Sequence, residues 1–181
     1  KGNRLQTVID VSSLTRRIPE YTIDSKGTVW LAFNEEILHY SNSGKKLKHL
    51  NYKSLHLKKS TGVADIETDQ SGNVVVLLSD GQLRLISFSK GKQNVRKLSS
   101  LLNQTFISSL IKHQDKNYVL AQSINPSKGN FYYLCELVQN KGILELKKLN
   151  PGLKGSHYFF QKGTAKHFWQ CSSDGAFELD Q

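Results

Sequence analysis

Shifted against itself by 45 residues, the chain falls into register. IPEYTID, SKG, TVWLAFN, EE and ILHYSN lie over VADIETD, QSG, NVVVLLS, DG and QLRLISFS, with Asp24 on Asp69. A looser third copy reads FISSLIKH, QDK, NYVLAQS, a longer INPSKG connection and NFYYLCELV, and a fourth reads SHYFFQK, GTAK, HFWQCSS, DG and AFELD. Self-similarity at this spacing restricts a chain to solenoids, propellers and similar arrays, because one unit alone cannot bury its apolar faces.

The content of each unit narrows the choice. Its segments are short, rich in Val, Ile, Phe, Tyr and Leu, and bounded by Gly, Asp, Asn or Ser, whereas no stretch carries a helical period. After each third segment comes a more polar fourth: KLKHLNY, NVRKLSS and ILELKKL. A unit is therefore expected to be a four-stranded antiparallel meander, the size of a propeller blade. In DSKG and DQSG the Asp side chain is expected to cap the turn and the glycine to take the left-handed conformation; Asp80-Gly81 and Asp174-Gly175 are expected to form two-residue type I′ turns.

The chain thus reads as all-β and propeller-type, a single domain over residues 1–181. Its four blades are placed at about 18–52, 63–101, 106–149 and 156–181. The last blade lacks a fourth strand. Residues 4–10 would close a four-bladed ring by supplying it; the preferred reading is a fragment of a larger propeller, with Lys1 a cut site in a longer protein. Exposed edges and blade faces on such an arc would favour a homodimer.

Composition bounds the rest. Apolar residues at 38% and charged residues at 22%, with both signs dispersed, exclude disorder, and no apolar run is long enough to span a bilayer. The formal charge of +10 favours anionic partners without naming them. Cys135 and Cys171 match no zinc spacing and are read as small buried apolar residues, with a disulfide between them the alternative. No HExxH, G-x-S-x-G, Walker or EF-hand pattern is present, and no acidic pair recurs at equivalent positions around the ring, so neither an enzyme nor a cofactor is expected.

Asp24-Ser-Lys-Gly27-Thr-Val-Trp30, followed by LAFNEEILHY, resembles the two-component regulator propeller repeat, whose pattern is Asp-x-x-Gly-x-x-Trp, a small residue, then Gly-Leu and an aromatic. Trp30, Val75, Val119 and Trp169 align at one strand position, and Gly27, Gly72 and Gly163 at the first turn; Asn34-Glu35-Glu36 replaces the family's double glycine. The resemblance implies a periplasmic sensor in a membrane-anchored protein. Such a sensor would bind a polysaccharide breakdown product and signal to a kinase outside this chain.

In a meander blade the connections between units and the second-to-third-strand turns share one face, where Arg16, Arg17, Lys53, His56, Lys58, Lys59, Lys128 and Lys154 are expected. Arg16-Arg17 could grip a carboxylate or sulfate with a planar fork, or be two solvated loop charges. The stretch GKKLKHLNYKSLHLKKS could track anionic groups or be a solvated outer strand, and Trp30 is expected to pack between blades. The candidate ligand-binding residues are Arg16, Arg17, Asn34, Glu35, Lys58, Lys59, Lys128 and Lys154, and the expected partner is an anionic oligosaccharide or another small acidic ligand rather than nucleic acid. A WD-like scaffold for acidic partners is the alternative function; a propeller hydrolase or lyase has the least support.

Overall fold

A computed structural model describes residues 9, 19–33, 35–51, 53–57, 61–98, 105–113, 116–125, 129–140, 143–149, 153–154, 158–162, 167–172 and 175–180. The first sheet comprises β1 (Glu20–Ile23), β2 (Val29–Ala32), β3 (Glu36–Tyr40) and β4 (Lys46–Asn51), paired in chain order. The second repeats it with β5 (Val63–Thr68), β6 (Val74–Leu78), β7 (Leu83–Ser89) and β8 (Lys92–Leu98). The third contains β9 (Thr105–His113), β10 (Lys116–Asn125), β11 (Gly129–Asn140) and β12 (Ile143–Lys148), plus a short strand absent from the sequence reading, β13 (Leu153–Lys154), on β11. The fourth has three strands, β14 (Tyr158–Lys162), β15 (His167–Ser172) and β16 (Gly175–Asp180). All pairings are antiparallel.

The strand period of two decides how blades stack. On β6, Val74, Val76 and Leu78 join Trp30, Ala32, Ile37 and Leu50 of the first sheet, while Val75 and Leu77 join Val119, Ala121 and Cys135 of the third. Blade two is thus apolar on both faces, and β6 reads as an unbroken apolar run. The first strands converge, β5 packing on β1 and β2, and β9 on β5 and β6. Leu31, Leu38 and Tyr40 form the far side of blade one, where Ile9 packs; the other residues of the expected closing strand lie outside the described residues.

Two expectations shift. Val119 faces back toward blade two, whereas Trp30 and Val75 face forward; Tyr118 and Leu134 occupy the forward face of the third sheet. An offset of one residue reverses every side chain on a strand, and a constant shift of 45 puts Leu120, not Val119, at that position. The turn at Asp80-Gly81 is not type I′, because only Gly81 has positive φ (75°). Gly81 N–H donates to Leu78 C=O and Gln82 N–H to Asp80 Oδ1, a three-residue loop ending in a left-handed glycine. Positive φ at both central residues occurs instead at Lys90 (48°) and Gly91 (76°), between the paired Ser89 and Lys92. Asp174 lies outside the described residues.

Candidate functional site

Antiparallel alternation brings the β2–β3 turn, the β4–β5 connection and the β6–β7 turn to one end of the sheets. Glu35 lies exposed in the first of these turns, next to Glu36, which pairs with His49 across β3 and β4 at 2.6 Å. The connection is a built turn. Asn51 Oδ1 accepts from Ser54 N–H, Asn51 C=O accepts from Leu55 N–H, and His56 takes φ of 54°. Leu55 is buried and Gln93 Nε2 donates to Ser54 C=O, tying the loop to blade two, so Lys53 and His56 are exposed on an anchored backbone. At the next blade junction Phe106 packs over Gly81 and remains 42% exposed, an aromatic surface at the loop end of β9.

Of the residues singled out in the sequence, Glu35 is placed in this turn and Lys154 lies in β13, opposite Phe131. Arg16, Arg17, Asn34, Lys58, Lys59 and Lys128 lie outside the described residues. Phe106 escaped notice because its place over a neighbouring blade's turn cannot be read from its own segment: a Cβ on Gly81 would come within 2.5 Å of Phe106 Cδ2.

A second polar group lies along the converging first strands. Asp65 Oδ1 accepts from Ile66 N–H at 2.8 Å and Asp65 Oδ2 from Leu110 N–H at 3.1 Å, joining blades two and three. Burial pushes its carboxyl up to about 6; the two N–H donors oppose the shift, and Glu20 and Glu67 add to it. Thr22 Oγ1 donates to Glu67 Oε2 at 2.7 Å between blades one and two, and Lys112 Nζ donates to Thr68 Oγ1 at 3.0 Å between blades two and three. Although no acidic pair recurs, a single acid does. Glu20 and Asp65 occupy the same repeat position, and that alignment was the available signal.

Beneath the opposite end, Asp24 Oδ1 accepts from Lys26 and Thr28 N–H, while Gly27 takes φ of 74°. Thr28 Oγ1 donates to Asp24 Oδ2 at 2.6 Å, which leaves its lone pairs for His39 Nε2–H at 2.6 Å. The His39 ring stacks on Trp30 with centroids 3.7 Å apart, and Trp30 in turn on Phe88 of blade two. Burial pushes the His39 imidazole down, Asp24 opposes, and Lys48 adds to the fall. This is turn chemistry and packing between blades, with no open face toward a ligand. Cys135 is a free thiol in the core. Among the described residues, no group of three or more His, Cys, Asp or Glu could hold a metal ion.

No protein-family model matches the sequence, and no curated protein does. Solved structures do. An extracellular domain assigned to a hybrid two-component system from B. thetaiotaomicron overlays with a TM-score of 0.61 at 16% identity, covering 92% of this chain and 21% of that one. A second such domain from the same bacterium gives 0.51 at 16% identity, covering 89% of this chain and 20% of that one. The WD40 domain of SCAP from fission yeast gives 0.53 at 12% identity, covering 93% of this chain and 43% of that one. The chain therefore spans about a fifth of the length of the two bacterial domains. At these identities the likeness is one of fold: blades in chain order, each a meander, the first three stacked face to face as in a β-propeller.

Proposed function

We propose that this chain is part of the ligand-sensing propeller of a two-component regulator, placed in the periplasm by a membrane tether outside the chain. Its loop end binds a small anionic oligosaccharide, and occupancy is passed to a kinase elsewhere in the protein. The observation that carries the reading is the overlay on two extracellular domains of such systems. The Asp24, Gly27 and Trp30 pattern supports the same class independently. Phe106 offers a flat apolar ring to the C–H face of a sugar, Lys53 and His56 flank the same end, and the formal charge of +10 favours an acidic ligand. Arg16, Arg17, Asn34, Glu35, Lys58, Lys59, Lys128 and Lys154 are assigned to its charged and hydroxyl groups.

Short sulfated and uronate oligosaccharides are expected to raise the melting temperature, and neutral ones of equal length are not. Replacing Arg16 and Arg17 by Ala together should weaken binding about tenfold, the scale of a charge-assisted bidentate contact, and Phe106→Ala should weaken sulfated and uronate sugars alike. The absence of any shift with the acidic sugars removes this ligand class. The WD40 overlay favours a second reading, a scaffold for acidic protein segments; acidic peptides that stabilise the chain where sugars do not would select it.

A further inference from the structure

Charge is sorted radially in this fold. The first strands, β1, β5, β9 and β14, carry Glu20, Asp65 and Glu67 against Lys112 and Lys162. The outermost strands, β4, β8 and β12, carry Lys46, Lys48, Lys92, Arg96, Lys97, Lys147 and Lys148 against Glu145 alone. Six of those seven cations are exposed. Lys48 is partly buried, with its ammonium 4.5 Å over the Phe88 ring of the next blade; Lys148 lies 4.1 Å over Tyr133. Lys45 and Lys90 extend the same sign to the turns entering β4 and β8. Much of the net charge of the chain thus sits on a belt of outermost strands, which Lys48 carries across one blade boundary.

We propose that this belt is a second binding surface, separate from the loop end, which takes an extended acidic polysaccharide along the rim across successive blades. Three observations select this occupant. The belt recurs on the fourth strand of each of the first three blades, which suits a polymer with repeating charges and exceeds what one small anion can use. Among the described residues these strands hold no Phe, Tyr or Trp and a single arginine, which offers few of the stacking platforms and planar forks that favour nucleic acid. The belt lies on the strand of each sheet farthest from the converging first strands, where a flexible chain can pass from one blade to the next. Edge protection accounts for lysine on each outermost strand taken singly; it does not require the cations of one blade to reach the next, as Lys48 does over Phe88. The rim supplies attraction by counterion release and holds long chains near the loop end without reading their sequence.

The test uses the whole chain and three kinds of probe: polygalacturonate and dextran sulfate as polymers and as short fragments, neutral dextran, and double-stranded DNA or vesicles of anionic phospholipid. Both acidic polymers are expected to bind far more tightly than their fragments, with affinity falling steeply as salt rises, and neutral dextran is expected not to bind. Because each exposed contact is worth a few-fold, Lys46→Glu, Lys97→Glu and Lys147→Glu combined should lose about 30-fold in polymer affinity and flatten the salt dependence. The Gln versions of the three should lose less, and they decide the matter if the Glu version does not fold. Lys26→Glu, at a first-to-second-strand turn, should leave polymer binding unchanged. Polymer affinity within about twofold of the parent in the Gln triple variant, equal binding of fragments and polymer, or tighter binding of DNA or vesicles overturns the rim assignment. Failure at the loop end has a separate readout, the loss of stabilisation by short oligosaccharides with polymer binding intact.

Discussion

Asp65 concentrates the tension between charge and burial in this molecule. Its carboxyl stands at about 6 in the fold against an ordinary 3.8, so the folded chain holds the proton more tightly than the unfolded one. The sign follows: the contribution of Asp65 to stability is fully present below about pH 3.8 and is lost as pH rises through about 6. At neutral pH the ionised group is a burden on the order of 3 kcal/mol. Asparagine is no clean replacement, since its single carbonyl oxygen can accept from Ile66 or Leu110 and its amide then faces the other donor. Asp65→Asn is nevertheless expected to flatten the stability profile between pH 4 and 6, measured by urea denaturation at several pH values; an unchanged slope refutes the assignment. His39 works in the opposite direction. Its folded pKa is depressed, so stability is lost as pH falls below its ordinary 6.5, and a pH series on the parent alone would blend the two.

At the scale of the element, turn chemistry was legible where side chain and backbone act within four residues. Asp24 with Gly27, and Asp69 with Gly72, adopt the bonded turns their spelling suggests. Asp80-Gly81 was misread because an Asp-Gly pair is compatible with two loops, and the added residue Ser79 decided between them. Val119 was misplaced because the third unit differs in length near its first turn, and an error of one residue reverses facing on a strand. Phe106 and the belt of lysines were beyond reach of local reading. One depends on a neighbouring blade, the other on strand order. Gly81 joins both levels: its φ of 75° disfavours any side chain, and Phe106 fills the space a Cβ needs. Gly81→Ala is expected to cost about 1–3 kcal/mol, more than Gly91→Ala, where no atom lies within 4 Å of the added carbon. Denaturant melts of the two variants make the comparison, and equal losses would mean that Phe106 moves aside freely.

For the whole molecule, the consequence of shared cores is cooperativity. Val76 and Leu77 are adjacent and both 1% exposed, yet they serve different interfaces. Truncating either to Ala should cost about 2–4 kcal/mol. The location of the damage should differ. Hydrogen exchange is expected to accelerate in β2 and β3 for Val76→Ala and in β10 for Leu77→Ala, because each residue supports the blade it faces. Uniform acceleration across the chain in both variants would show that the blades open only together.

The unbroken apolar run of β6 carries a further lesson in genetic terms. Substitution among Val, Ile and Leu at its five buried positions preserves which neighbour each side chain serves. Insertion of a single codon there does not: every residue beyond it would exchange its partner blade for the opposite one, although the strand's composition would scarcely change. Sequences descended from this one should therefore drift freely in the identity of these residues and hold their number fixed, with length changes confined to the loops between blades.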